Sequence, residues 1–299
     1  MRPTSRRRLR EMPGAWLFLL PALFLLGLFV LWPTLRAVRW SFTDANLLRP
    51  GVAESVGTAN YSDLLRDPRF RQAFRNTALF ALMVVPVQTA MAFFLALWVN
   101  RPEPCWRWLR TVFFVPVVVS LPVLAILWTL LYQPARGDQA GLVNVLVMQM
   151  GLSPQRWLQD PHLALPALAV MSVWQGVGFQ MLIFLAGLQQ LDPQGLEAAK
   201  IDGANARQRL LHLIVPGMKP SIVFVVTATL ILSFRLFAQP YLMTRGGPEG
   251  RTRSLIQFIY ETTFQDRALG LASAGVVLFL GLVTLLTLLQ RLAVREERA

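Results

Sequence analysis

The chain has few of the side chains from which most metal and redox sites are built. Its 299 residues include one cysteine, Cys105, and two histidines, His162 and His212. A single cysteine excludes an intrachain disulfide and a CxxC metal or redox site. Two isolated histidines are better explained as polar surface contacts than as metal ligands. We therefore predict no metal site.

Lysine is equally scarce, because the chain contains only Lys200 and Lys219. Neither follows a Gly-x-x-x-x-Gly pattern, so the chain lacks a phosphate-binding loop of the P-loop type. It also lacks Gly-x-Ser-x-Gly, His-Glu-x-x-His and any carboxylate pair within an apolar run, which are typical of membrane hydrolases and proton-driven carriers. We predict a protein that is not an enzyme, with no catalytic residues and no cofactor. Energy for any active process must come from another protein.

Apolar residues dominate the chain instead. Hydrophobic residues make up 55% of it and charged residues 15%, which is more apolar surface than one soluble core of this length could bury. Six runs approach the roughly 20 residues needed to cross a hydrocarbon layer of about 30 Å. We predict an all-α polytopic membrane protein with six transmembrane helices at these runs: Ala15–Leu35, Ala78–Val99, Thr111–Leu131, Leu163–Leu188, Ser221–Ala238 and Leu271–Leu289.

The basic residues predict the orientation of these spans. Arginines precede the first run at Arg2, Arg6, Arg7, Arg8 and Arg10, and such clusters favour the cytoplasmic side. The run that follows is too long for a signal peptide and has no convincing small-residue cleavage site, so we interpret it as a retained helix. With six spans, both termini are then cytoplasmic.

The net charge of +13 raises the alternative of nucleic-acid binding. The arginines are scattered among spans and loops, with no basic helix and no aromatic RNA platform. Anionic lipid headgroups explain a basic membrane protein without any nucleic acid. We predict the lipid bilayer, and not nucleic acid, as a partner.

One segment between the fourth and fifth runs has the pattern of two short helices joined by a glycine turn. Asp192 and Pro193 offer an N-cap and a first-turn proline, and Gly203 suits a left-handed stop. Asn205 can cap a second short helix, which we expect Pro216 to end.

Small and charged side chains share the first of these two helices. Ala198 and Ala199 leave a face on which another protein can approach the backbone closely, and Glu197, Lys200 and Asp202 supply charge around it. We predict a docking site for a cytosolic protein.

This segment resembles the EAA loop of bacterial ABC importer permeases. In that family a Glu-Ala-Ala triplet is followed by a glycine and, further on, by an apolar pair and a proline. Here Leu210 replaces the usual aromatic residue and Val215 the usual leucine, and both positions stay apolar. The resemblance implies that the loop of residues 189–219 couples to an ATPase through these residues: Glu197, Ala198, Ala199, Asp202, Gly203, Leu210, Ile214 and Pro216.

Shorter fragments in the same order resemble carbohydrate-importer permeases of the maltose and glycerol-phosphate type. The resemblance implies a type I ABC importer permease fold in the bacterial inner membrane. The implied partners are a second permease subunit, two cytosolic ATPase subunits and an extracytoplasmic solute-binding protein, and the implied solute is a sugar or related polyol. The fragments include Trp32-Pro33, Ser41-Phe42-Thr43, Asn60-Tyr61, Asn76-Thr77, Met243-Thr244-Arg245-Gly246-Gly247-Pro248 and Gly270-Leu271-Ala272-Ser273-Ala274.

The same resemblance implies three regions. Residues 1–71 form a cytoplasmic arm, the first transmembrane helix and the first outer loop. Residues 72–290 form the permease domain with its coupling loop, and residues 291–299 form a cytoplasmic tail.

Polar side chains inside the apolar runs are candidates for the solute pathway. Toward lipid they are costly, so we expect Gln88, Ser172 and Gln175 to face protein or water. Ser172, Gln175 and Phe179 share one helical stripe and Trp174 lies beside it, and amides beside an aromatic face are typical of sugar sites. Hydrogen bonding that merely holds the helices together explains them equally well.

Arg235 lies near the outer end of the fifth run. We favour a position in which its side chain snorkels to the headgroups. If it lines the pathway instead, it would attract an anionic solute such as a glycerol phosphate.

Two other classes of protein stay open at this point. A self-powered carrier or channel would fit the six spans but not the docking loop. A membrane-bound enzyme would need catalytic groups that the sequence does not offer.

Overall fold

The computed structural model describes residues 18–135 and 139–295. The predicted arginine cluster before the first span, the first residues of that span and the last four residues of the predicted tail lie outside this part of the chain. Within the described residues the regular structure is helical. Its helices are α1 Phe18–Trp40, α2 Ala59–Arg66, α3 Pro68–Val99, α4 Pro104–Val118, α5 Leu121–Leu131, α6 Leu142–Gln149, α7 Ala164–Leu188, α8 Pro193–Ile201, α9 Ala206–Gly217, α10 Lys219–Phe234, α11 Leu255–Phe264 and α12 Leu269–Arg295. A five-residue π-helix, Pro240–Thr244, lies between α10 and α11.

Four helices of the described chain, α1, α3, α7 and α12, are long and apolar enough to cross a membrane. Two further pairs pass the same test as bent spans, α4 with α5 at 99° and α9 with α10 at 67°. If each bent pair is one span, the predicted total of six is reached. The third predicted span, Thr111–Leu131, is bent, because the helix is broken at Val119 and Ser120.

A proline near the start of the following helix explains each of the two bends. Pro122 is the second residue of α5 and Pro220 the second residue of α10. A proline has no N–H for the carbonyl four residues earlier, and its ring clashes with that carbonyl. This ends α4 at Val118. In the coupling loop, we expected Pro216 to end the second short helix. Instead Pro216 lies inside α9, which continues to Gly217.

The chain divides into two compact units. The first contains the described residues up to Arg66 together with Ile259–Gly281, and the second contains Asp67–Phe258 together with the chain from Leu282 onward.

In the first unit, one asparagine joins the loop after α1 to α2. Asn60 donates from its side-chain nitrogen to the carbonyls of Ser41 at 2.9 Å and Thr43 at 2.8 Å. Gly270 of α12 has no room for a Cβ, which would overlap the Thr43 carbonyl. Three of the fragments that resemble other permeases therefore meet in one contact.

In the second unit, α3 and α7 form the most extensive helix pair, with α4 and α10 packed beside them. The close approach uses glycine, as is common between membrane helices. A Cβ on Gly178 of α7 would overlap the Phe113 carbonyl of α4. Around α7 the buried side chains form two clusters, an upper cluster that includes Phe80, Leu168 and Met243 and a lower cluster that includes Phe93, Phe184 and Met218.

Candidate functional site

The helix α8 begins and ends with the caps expected from its sequence. The Asp192 carboxylate accepts hydrogen bonds from the backbone N–H groups of Gln194 and Gly195, at 3.0 and 3.3 Å. At the other end Gly203 adopts a left-handed φ of 82°, and the Ala204 N–H donates to the Ala199 carbonyl at 2.9 Å. This is the 6→1 bond of a Schellman motif, which satisfies the last carbonyls of a helix.

The helix α9 begins with a complete capping box. The Asn205 side chain accepts from the Gln208 N–H at 2.9 Å, and the Gln208 side chain accepts from the Asn205 N–H at 2.8 Å. The two reciprocal bonds satisfy donors that a helix start leaves open. The predicted arrangement of helix, glycine turn and helix is therefore present.

One face of α8 is exposed and carries most of the predicted docking residues. Glu197, Ala198 and Asp202 are exposed, and Ala199 is half-buried. Ile201 is 86% exposed, although an isoleucine would normally be buried. It lies four residues after Glu197 and three after Ala198, so the three side chains share one face. Ile201 was not among the predicted docking residues.

The remaining predicted coupling residues divide between the base and the surface of the loop. Leu210 and Ile214 are half-buried and pack against the lower cluster, next to Met218, which is 1% exposed. Gly203 and Pro216 are exposed. Leu210 and Ile214 therefore fasten the loop to the helix bundle, while Glu197 and Ala198 face outward from it.

A cavity of about 410 Å³, with several polar side chains in its wall, lies where two of the apolar runs are interrupted. Leu121, the first residue of α5, lines it, and so does the non-helical stretch that follows α10. Irregular backbone at membrane depth is tolerated where it is buried in protein or lines an aqueous cavity. We call this the pathway cavity; its lining is Phe80, Val84, Gln88, Leu121, Ser172, Gln175, Gly176, Thr229, Leu232, Ser233, Arg235, Leu236, Phe237, Ala238 and Gln239.

Hydrogen bonds connect the polar walls of the pathway cavity. The Gln239 amide nitrogen donates to the Ser172 hydroxyl at 3.0 Å, and the Gln180 amide nitrogen donates to the Thr229 hydroxyl. The Gln88 amide lies directly over Gly176, where an added Cβ would displace it. Amides and hydroxyls that converge on one cavity are suited to binding a polyhydroxylated molecule.

Four of the six predicted pathway residues, Gln88, Ser172, Gln175 and Arg235, line this cavity. Trp174 and Phe179 do not. Trp174 is 41% exposed and contacts Trp128 edge-on with ring centroids 5.5 Å apart. Arg235 is exposed and lies in the wall of this cavity.

Sequence reasoning missed Phe237 and Gln239 as lining residues. Both follow the break in the helix after Phe234, whereas the predicted span continued to Ala238. The signal was available in part, because a glutamine at the edge of an apolar run is a polar group that needs a partner.

A larger cavity of about 730 Å³ lies between α3 and α10 and is almost entirely apolar. Its walls include Leu82, Phe94 and Leu286. A polar solute would lose its hydration there without replacement hydrogen bonds. We therefore place the candidate solute site in the pathway cavity.

Broken spans around a cavity with polar side chains, together with a capped and exposed helix pair, are typical of the membrane subunit of a transport system. Residues 88–298 match the family described as binding-protein-dependent transport system inner membrane component. The chain belongs to this family. It is therefore a non-catalytic permease subunit of a binding-protein-dependent ABC importer, with several spans in the inner membrane.

Individual relatives agree with this assignment. The lactose transport system permease protein LacF of Rhizobium radiobacter is 33% identical over 100% of both chains. The sulfoquinovosyl glycerol transport system permease protein SmoG of Agrobacterium fabrum is 32% identical over 89% of this chain and 85% of its own. The crystal structure of a bacterial ABC transporter that imports the acidic polysaccharide alginate has a TM-score of 0.82 at 20% identity, covering 97% of this chain and 99% of that one. This last match concerns the fold.

Proposed function

We propose that this chain pairs with a second permease subunit to form the path of a sugar or related polyol. An extracytoplasmic binding protein delivers the solute, and two cytosolic ATPase subunits drive the cycle. One of them docks on the 189–219 loop. The observation that carries the proposal is the combination of an outward face, with Glu197, Ala198 and Ile201, and a base that packs into the bundle.

The construction of the loop suits the transfer of a rigid displacement. Both helices are capped at their starts, and the Schellman motif fixes the turn between them. Leu210 and Ile214 contact the same cluster as residues of α3 and α7. A partner that moves the loop therefore also tilts those helices, as in other rigid-body transitions.

The exposed apolar surface of α1 supports a second permease and the bilayer as partners. The apolar part of α1 has none of its residues buried, and helices of this kind must be covered by lipid or by another membrane protein. The share buried inside the structure is 56% for α7, which identifies α7 as a central helix.

The carbohydrate class is supported by two independent observations. The relatives LacF and SmoG are named for the transport of two glycosides, lactose and sulfoquinovosyl glycerol. The pathway cavity offers the amides of Gln88, Gln175 and Gln239 with the ring of Phe237 at its wall, and sugars bind through such hydrogen-bonding groups beside an apolar face.

Reconstitution of the complete complex tests the proposal. The two permeases and the ATPases are placed in proteoliposomes with the binding protein, whose ligand is first found by a thermal-shift screen of sugars and polyols. We expect uptake that requires both ATP and binding protein, and that Glu197→Ala with Ala198→Trp abolishes. Uptake by this chain without ATP, driven by an ion gradient, would instead identify a self-powered carrier.

A further inference from the structure

Arginines line two cavities of the second unit, and no acidic residue lines either of them. Arg235 is in the wall of the pathway cavity. A second cavity, of about 370 Å³, is lined by Arg156 and Arg245 together with Tyr132, Gln133 and Gln159. We call it the outer cavity, because the loops that build it lie at the opposite end of α7 from the coupling loop.

The two cavities adjoin the same buried cluster. Phe80 and Leu236 of the pathway cavity belong to the upper cluster, as do Tyr132 and Met243 of the outer cavity. Both cavities therefore border the upper cluster.

The three guanidinium groups make no ion pair within the described part of the chain. The acid nearest to Arg156 in sequence is Asp160, whose carboxylate already accepts from the backbone N–H groups of His162 and Leu163, at 2.7 and 3.3 Å. All three arginines are exposed to their cavities or to solvent. Their donors are thus open to a ligand.

The backbone at Arg245 gives a second, independent indication. Its φ is 50°, in the left-handed region that costs a non-glycine residue about 1 kcal/mol or more. Residues held in this way occur preferentially at ligand-binding and switch positions. Here the conformation places an arginine at the outer cavity, as the C-cap of the π-helix Pro240–Thr244.

Arginine within a membrane span is costly toward lipid and usually faces a water-filled cavity or a charged partner. Its planar fork binds a carboxylate, phosphate or sulfonate through paired, charge-assisted hydrogen bonds. Unpaired cationic groups along a pathway also raise the local concentration of anions.

We propose that the solute carries a negatively charged group. Arg156 and Arg245 attract this group at the outer cavity, and Arg235 binds it in the pathway cavity while the amides and hydroxyls there hold the hydroxyl groups of the same molecule. This inference rests on the proposed function, and it narrows the solute from a sugar or polyol to an anionic one.

Paired probes separate the charge from the rest of the solute. The binding protein is screened with digalacturonate, glycerol 3-phosphate and sulfoquinovose, each beside its uncharged counterpart, digalacturonate methyl ester, glycerol and glucose. The bound probe then enters an uptake assay with the reconstituted complex. The variants are Arg235→Gln, Arg235→Lys and the double variant Arg156→Gln with Arg245→Gln. Arg49→Gln, an exposed arginine that lines neither cavity, is the control.

We expect one charged probe to be bound and carried in preference to its uncharged counterpart, and the chemistry of that probe distinguishes carboxylate, phosphate and sulfonate. Arg235→Gln should lower its uptake at least tenfold, with binding-protein-stimulated ATP hydrolysis retained. Arg235→Lys should keep at least a third of the uptake. The double variant should lower it about threefold, more at low salt than at high salt, because steering is screened by ions.

Three results would overturn the inference. The first is transport of uncharged probes only, and the second is unchanged uptake of the charged probe by Arg235→Gln. The third is failure of Arg235→Gln, but not of Arg235→Lys, to assemble with the second permease, since Arg235 would then pair with an acid of that subunit. Loss of ATP dependence in the wild-type complex would instead contradict the proposed function.

Discussion

The side-chain nitrogen of Gln239 donates a 3.0 Å hydrogen bond to the hydroxyl of Ser172. This bond links the interrupted stretch after α10 to the central helix α7, at the wall of the pathway cavity. Ser172 therefore holds two parts of the bundle together and also lines the pathway cavity.

Replacement of Gln239 tests whether its side-chain amide contributes to solute transport. Gln239→Leu keeps the approximate volume and deletes the donor and acceptor. We expect a rise in KM for uptake of about tenfold, since a lost hydrogen bond to a bound ligand costs about 1 to 1.5 kcal/mol. The measurement is solute uptake by the reconstituted complex at a series of solute concentrations.

The matched control is Gln149→Leu, at the exposed end of α6, which should leave uptake unchanged. Ser172→Ala combined with Gln239→Leu should cost less than the sum of the single changes, because the two side chains share one interaction. Equal KM values for Gln239→Leu and the wild type would remove Gln239 from the pathway.

Substitutions at Gly203 test whether the left-handed backbone conformation of this turn is required for coupling. Its φ of 82° disfavours side chains, yet a Cβ there would meet no atom within 4 Å. Gly203→Val should therefore disturb the turn without a steric clash, and a β-branched residue in this region is strongly disfavoured. We expect binding-protein-stimulated ATP hydrolysis and uptake to fall together by at least tenfold, with normal amounts of the chain in the membrane.

Asparagine supplies the control at the same position. It tolerates the left-handed region far better than valine, so Gly203→Asn should retain most of the coupled activity. If both variants behave alike, the left-handed turn is not what the coupling requires.

The sequence predicted the loop well because its signals are local. Asp192, Gly203 and Asn205 act on backbone groups within three or four residues of themselves, so spacing alone identifies their roles. The six apolar runs were located for a related reason, since hydropathy depends on composition along the chain. Which face of the loop is anchored could not be predicted, because the burial of Leu210 and Ile214 depends on α3 and α7, more than twenty residues away.

The candidate cavity was predicted only in part. Gln88, Ser172 and Gln175 were found because a polar group in an apolar run is unusual wherever the helix faces. Phe237 and Gln239 were missed because hydropathy does not register a helix break inside an apolar stretch. Trp174 shares α7 with the lining residues, but its side chain packs on Trp128, a contact between distant parts of the chain.

Because the coupling loop is anchored to the helix bundle, truncation of an anchoring side chain should have two effects. One is on protein stability and the other on coupled transport, and each can be measured separately. Ile214 is half-buried against the lower cluster, so Ile214→Ala should lower the free energy of unfolding by about 1 to 2 kcal/mol, below the range for fully buried sites. It should also reduce uptake per ATP hydrolysed, because the loop would move without the bundle. Thermal unfolding in detergent and the ratio of uptake to hydrolysis measure the two effects.

Leu211, adjacent to the anchoring residues but 50% exposed, provides the comparison. Leu211→Ala removes a similar apolar volume and should change neither the unfolding temperature nor the ratio. A loss of coupling by Leu211→Ala equal to that by Ile214→Ala would show that both side chains contact the ATPase and that neither is an anchor.

The close approach of α7 and α4 at Gly178 predicts that a larger side chain at this position destabilises the protein. An added Cβ would overlap the Phe113 carbonyl, and a backbone oxygen cannot move aside as a side-chain tip can. Gly178→Ala should therefore lower the free energy of unfolding by about 1 to 3 kcal/mol, the usual cost of overpacking, although alanine is the better helix former.

Gly281→Ala is the matched change in α12, where no atom lies within 4 Å of the added Cβ, and it should leave stability unchanged or raise it slightly. Thermal unfolding of the two variants in the same detergent decides the question. If Gly178→Ala is as stable as Gly281→Ala, the close approach between α7 and α4 contributes little, and the 99° bend between α4 and α5 must be held by other contacts.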